Sequence, residues 1–138
     1  MKRCLSDFAK IMNGTLAGFD TAFEGVSIDS RTCLPGDLFF AIRGERFDGH
    51  QYLAEAKARG AVGAVVSSEQ DVSIPQILVA DTVEGLQRAA AAWRNTFDIP
   101  VVAVAGSNGK TTTKELIASV LRQGLPTLWS QASFNNDI

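Results

Sequence analysis

Apolar residues recur along this chain at two spacings, dense or alternating runs of strand length and three- or four-residue intervals of helices. Over residues 5–13, Phe8, Ile11 and Met12 share a helical face, with Ser6 placed to cap the helix and Gly14 to stop it. Val26 and Ile28 alternate with polar neighbours and predict a strand that runs into Asp29-Ser30-Arg31. Leu34-Pro35-Gly36-Asp37 carries a turn signal, and residues 38–42 form a dense apolar run of strand length. Residues 44–50 predict a polar loop and 51–59 a helix closed by Gly60. VGAVV (62–66) and PQILV (75–79) predict two more strands. Asp81 and Glu84 have capping-box spacing and open a helix from Thr82 to about Phe97.

The pattern changes near residue 98. VVAVA (101–105) is apolar on both faces, which predicts a central strand of a parallel sheet. A glycine-rich turn follows, then a helix at about 111–122 with Leu116, Ile117, Val120 and Leu121 on its apolar face, then a strand at 125–130. The fold class is therefore α/β: a small mixed α/β domain over 1–97, then the first strand, loop, helix and strand of a second domain over 98–138. About 40 residues is near the lower limit for a core without disulfides or metal. A central parallel strand also needs neighbours on both sides. The chain is expected to be the front part of a longer enzyme, which the mass of the native gene product checks.

Composition removes several classes. Apolar residues make up 46% and charged residues 20%, a globular balance that excludes a disordered or low-complexity chain. The net charge of -2 offers no basic field for nucleic acid or anionic membranes. Neither a signal-peptide core nor a membrane-length apolar run is present. Cys4 and Cys33 lack the spacing of a zinc or redox pair and suit a reducing compartment. A cytoplasmic monomer is expected, with no nucleic-acid partner and no membrane insertion.

The most informative segment is Ala105-Gly106-Ser107-Asn108-Gly109-Lys110-Thr111-Thr112, set between the predicted strand and helix. Glycines let backbone N–H groups turn inward around phosphate oxygens, and a helix N-terminus adds partial positive charge. Lys110 can reach terminal phosphates and the Thr111 hydroxyl can ligate Mg²⁺. The longer G-x-x-x-x-G-K-[ST] pattern would need glycine where Val104 stands, so the motif is the shorter G-x-x-G-K-T. The blander alternative is a tight strand-to-helix turn with an incidental lysine. Its context favours nucleotide binding by Gly106, Ser107, Asn108, Gly109, Lys110, Thr111 and Thr112.

AGSNGKTTTKE resembles the ATP loop of the Mur ligase family, which uses this shorter form. Residues 27–66 resemble the family's N-terminal UDP-binding domain, through Asp29-Ser30-Arg31, Pro35-Gly36-Asp37-Leu38-Phe39 and Asp48-Gly49-His50. Ser133-Phe134-Asn135-Asn136 is similar to the asparagine-pair segment of the branch that adds D-alanyl-D-alanine, where the MurE type has Asn-Thr. The resemblance implies an ATP- and Mg²⁺-dependent ligase of peptidoglycan precursor synthesis. Its substrates would be UDP-N-acetylmuramoyl-tripeptide and D-alanyl-D-alanine, joined through an acyl phosphate. Lys110 would be the catalytic residue and Thr111 the metal ligand. Ser30, Arg31, Phe47, Asp48, His50, Asn135 and Asn136 would contact substrate.

Each assignment has a plainer counterpart. Asp29 and Arg31 could simply organise a turn, and His50 could open a helix beside a capping Asp48. Phe47 could stack on uracil or fill a rim, and Asn135-Asn136 could be an ordinary polar loop. Trp93 and Trp129 are assigned to packing, Lys114 and Glu115 to a solvated helix face. Another ligase of the superfamily (the MurE type), a small kinase, and a non-catalytic UDP-sugar-binding module remain alternative functions.

Overall fold

The computed structural model describes residues 3–131. The chain divides into two compact units, one reaching to Phe97 and the other beginning at Asp98.

The first unit is built on a five-stranded sheet. Its strands are β2 (Thr15–Ala17), β4 (Gly25–Ser27), β5 (Asp37–Phe40), β6 (Gly63–Val66) and β7 (Gln76–Leu78), in the order β2-β7-β6-β5-β4. β4 to β7 run parallel, and β2 joins β7 antiparallel at one edge. β1 (Arg3–Cys4) and β3 (Ala22–Phe23) form a separate antiparallel pair.

Strand periodicity sends alternate side chains to opposite faces, and both faces are covered. Leu38, Phe40, Val65 and Ile77 pack with Leu5, Phe8 and Met12 of α1 (Leu5–Ile11) and its C-cap, and with Ala89 of α3 (Thr82–Arg94). Phe39, Ala41, Ala64 and Val66 pack with Leu53 and Ala56 of α2 (Leu53–Ala58). Helices on both sides of a mostly parallel sheet make this a three-layer α/β unit, the predicted class.

Several local expectations need correction. Ser6 does not cap α1: it is a helical residue, and Cys4 holds the cap position. Asp20, far along the chain, takes the Ser6 amide at 3.0 Å and hydroxyl at 2.6 Å instead. The strand predicted from Val26 and Ile28 forms as β4 but ends at Ser27. Ser27 is buried, while Val26 and Ile28 are nearly half exposed, because this strand is a sheet edge. Only half the capping box forms. Asp81 accepts from the Val83 and Glu84 amides, whereas Glu84 pairs with Arg88 one turn on.

In the second unit α4 runs Lys110–Leu121. Neither 101–105 nor 125–130 is a strand, although both were predicted to be. A strand exists through its ladder, and no other described stretch of this unit pairs with either. Val101 and Val102 accordingly stay more than half exposed. Lys114 is not solvated as expected: its amine reaches the Ser130 carbonyl and lies 3.1 Å from Glu115, with the side chain only 17% exposed. No helix among the described residues is long and apolar enough to cross a membrane.

Candidate functional site

In the first unit a cavity of about 460 Å³ opens beyond the carboxyl ends of β4 and β5. That end of parallel strands is where α/β sheets commonly bind ligands. Ile28 and Asp29 leave β4 into it, and Ile42 leaves β5. Two 3₁₀ turns, Ser30–Thr32 and Gly49–Tyr52, supply most of the remaining wall.

Each turn is set by an aspartate at its start, whose side chain accepts the amide two residues on. Asp29 takes the Arg31 amide at 2.9 Å, and Asp48 takes the His50 amide at 3.0 Å. The Arg31 guanidinium folds back on Asp29 in a fork, Nε at 2.9 Å and Nη2 at 2.7 Å from its two oxygens. This is the turn-organising arrangement, formed at the rim of the cavity. It leaves the other N–H groups of an exposed side chain for an incoming anion.

The Arg31 side chain, then its amide, holds the Asp29 carboxyl down to about 2. Because the folded value lies below the unfolded one, the pair's contribution is present above the ordinary carboxylate range. It is lost as pH falls through about 2. An NMR titration should find that low midpoint, and Arg31→Ala should return it toward the usual 3.9 or so.

Ser30 is buried, and its hydroxyl donates to Glu55 of α2 at 2.9 Å. Phe47 stands 70% exposed at the rim, on a loop closed by an Arg43–Asp48 bridge. An exposed ring at the mouth of a cavity can stack on a flat heterocycle. Ser30, Arg31 and Phe47 thus line one cavity, with Asp48 and His50 in the turn that forms its wall.

Sequence reasoning missed Ile28, Phe39, Ile42, Tyr52 and Glu55 as lining residues. The available signal was the three-residue interval of Gly49, Tyr52 and Glu55, which places them on one side of a helical turn. Gly49 admits no side chain: a Cβ there would sit 2.8 Å from both the N and the O of Ile42. Gly49→Ala is expected to destabilise the unit by about 1–3 kcal/mol, the usual size of an overpacking error. Urea unfolding would measure it.

The second unit holds the glycine-rich loop. Gly106 and Gly109 take φ of 150° and 74°, a region that disfavours a side chain. Gly109 is the cap of α4, so Lys110, Thr111 and Thr112 form the helix's first turn, where N–H groups lack an i−4 carbonyl. Lys110 curls back over the loop, its amine 2.6 Å from the Gly106 carbonyl and 3.5 Å from that of Ser107. Asn108 lies in the bend between the two glycines. A lysine folded over the carbonyls of a glycine-rich loop at a helix start suits an anion with several oxygens. For Mg²⁺ the loop offers the Thr111 hydroxyl, and no cluster of three acidic, His or Cys side chains exists among the described residues. An ion held there would complete its shell from phosphate oxygens and water. Asn135 and Asn136 lie outside the described residues.

Residues 22–126 match the family described as "Mur ligase family, catalytic domain". The chain belongs to the Mur ligase family. A UDP-N-acetylmuramoyl-tripeptide–D-alanyl-D-alanine ligase of Escherichia coli K12 is 42% identical over 97% of the chain and 30% of its own length. The Bacillus subtilis enzyme of the same name is 37% identical over all of the chain and 32% of its own length. A crystal structure of MurF from Acinetobacter baumannii matches with a TM-score of 0.91 and 35% identity, covering 99% of this chain and 31% of that one. A MurF ligase from Thermotoga maritima in complex with ADP matches with a TM-score of 0.69 and 35% identity, over 73% and 24%. This Mur ligase chain thus spans about a third of the length of the curated relatives it matches.

Proposed function

We propose that these residues belong to an ATP-dependent ligase that adds D-alanyl-D-alanine to UDP-N-acetylmuramoyl-tripeptide in the cytoplasm. The observation that carries this reading is the Lys110 amine folded over a loop whose glycines hold positive φ, in a chain whose relatives bear that ligase's name. The first unit, residues 1–97, would grip the uridine diphosphate end in its cavity, with Phe47 against the base and Arg31 toward the diphosphate. The second, from residue 98, would begin the ATP site.

In this reading the tripeptide's terminal carboxylate attacks the γ-phosphorus of ATP and ADP departs. The amine of D-alanyl-D-alanine then attacks the acyl carbon, phosphate leaves, and the amine's surplus proton is released. Lys110 and the first-turn amides of α4 would stabilise negative charge on the transferred group. Mg²⁺, near Thr111, would neutralise phosphate charge. Contacts to the distant uridine diphosphate would hold the carboxylate in place, so that binding far from the reacting atoms accelerates chemistry.

Turnover tests the reading. In the intact ligase, ADP release should require both UDP-N-acetylmuramoyl-tripeptide and D-alanyl-D-alanine. The 138-residue chain alone should release none. ADP release that requires UDP-N-acetylmuramoyl-L-alanyl-D-glutamate and a diamino acid instead would favour the MurE type. The present reading rests on the relatives' names.

A further inference from the structure

His50 was expected to face substrate, but its ring is committed elsewhere. The side chain is 8% exposed. Nδ1 lies 2.6 Å from Asp48 Oδ1. The Ser67 amide, just past the end of β6, donates to Nε2 at 3.0 Å. A backbone amide can only donate, so Nε2 must be the unprotonated nitrogen and Nδ1 must carry the proton given to Asp48.

Asp48, His50 and Ser67 have the composition of an acyl-transfer triad, and the Ser67 hydroxyl is 3.1 Å from Nε2. The same serine's amide already occupies the ring's single lone pair, so no base is left to activate that hydroxyl. The arrangement is instead a bridge. It ties the 3₁₀ turn that walls the cavity to the end of a central strand.

We propose that His50 is a positioning residue of the cavity, locking the wall carrying Phe47 and Tyr52 to β6 and releasing it when the ring takes a second proton. The proposal rests on the reading of the cavity as a uridine diphosphate site. A doubly protonated ring would turn an N–H toward the Ser67 N–H, losing that bond and leaving on this side only the Ser67 hydroxyl, 3.1 Å away, to accept. Asp48 would keep its contact, and Arg43 stays 3.4 Å from Asp48, so the break falls on the β6 side. Those two are the charged groups tied to this bridge among the described residues, and Ser67 is neutral.

The test follows the imidazole nitrogens of the 138-residue chain by NMR from neutral to acid pH while a uridine diphosphate ester, UDP-N-acetylglucosamine, which has no terminal phosphate titrating in that range, is added at each pH. The expected free protein carries the Nδ1–H tautomer. Amide signals of 47–52 and of Ser67 should shift in step with ring protonation, and affinity should fall about tenfold along the same curve, the size of one lost hydrogen bond. His50→Gln keeps an acceptor for Ser67 and has no proton to gain, so its affinity should lose that acid limb. An Nε2–H tautomer, or affinity with the same acid limb in His50→Gln, would overturn the proposal. If the ester fails to bind at any pH, the ligand reading falls. The bridge is then decided by the ring tautomer and by whether the 47–52 amides follow protonation.

Discussion

Replacing Lys110 with alanine in the intact ligase should lower kcat by roughly 10³-fold, the upper end of what one preorganised charge donor contributes. Uridine diphosphate binding by the first unit should not change. The split follows from position: Lys110 opens α4, and its amine rests on the Gly106 carbonyl. The cavity beyond β4 and β5 is lined by first-unit residues such as Arg31 and Tyr52. Without a phosphate that amine rests, among the described residues, on the exposed carbonyls of Gly106 and Ser107, so its removal should scarcely alter stability. Rapid-quench measurement of ADP formation, with calorimetry for the uridine ligand, separates the two effects. An unchanged kcat would remove Lys110 from the chemistry.

The second large effect is on stability. Phe40→Ala should cost the first unit about 3–5 kcal/mol. Domains have only some 5–15 kcal/mol in total, so the variant should lose a large share of the unit's stability. Phe40 is fully buried on β5, the strand flanked by β4 and β6, and packs in the cluster that includes Phe8 and Leu38. Phe39, its neighbour, is buried in the other cluster with Leu53 and Ala56. Two adjacent large rings thus anchor opposite layers, and truncating either leaves a cavity in a different core. Phe19→Ala is the control: that ring is 70% exposed and its loss should stay within about 0.5 kcal/mol. Chemical denaturation of the three proteins would measure this. Equal losses for Phe19 and Phe40 would contradict the layered core.

These cases show why some of the fold is legible in the sequence and some is not. The run at 38–42 reads as a strand because its alternate positions are buried on both faces, and the pattern records that directly. Residues 3–4 and 22–23 carry no readable period, since a two-residue strand has none to show. Val26 and Ile28 mark a strand by alternation, but the pattern does not show that it is a sheet edge, where both stay nearly half exposed and Ile28 lines the cavity. Asp20 caps α1 from a separate loop, a contact without a local signature.

The site divides the same way. The loop at 106–112 is legible because its chemistry is contiguous, glycines and lysine within one turn. The cavity is assembled from strand ends and two turns, so Ile42, Tyr52 and Glu55 come together only in three dimensions. Even the aspartates that shape those turns double as partners of Arg31 and His50. That dual use made a binding role and a scaffolding role look alike in one dimension.

Calorimetry on the 138-residue chain tests the division of labour most directly, with UDP-N-acetylmuramoyl-tripeptide and Mg-ATP titrated separately. Weak but measurable sugar-nucleotide binding is expected, diminished by Phe47→Ala, with little heat from Mg-ATP. Sugar-nucleotide binding that is absent, or that Phe47→Ala leaves untouched, would contradict that division.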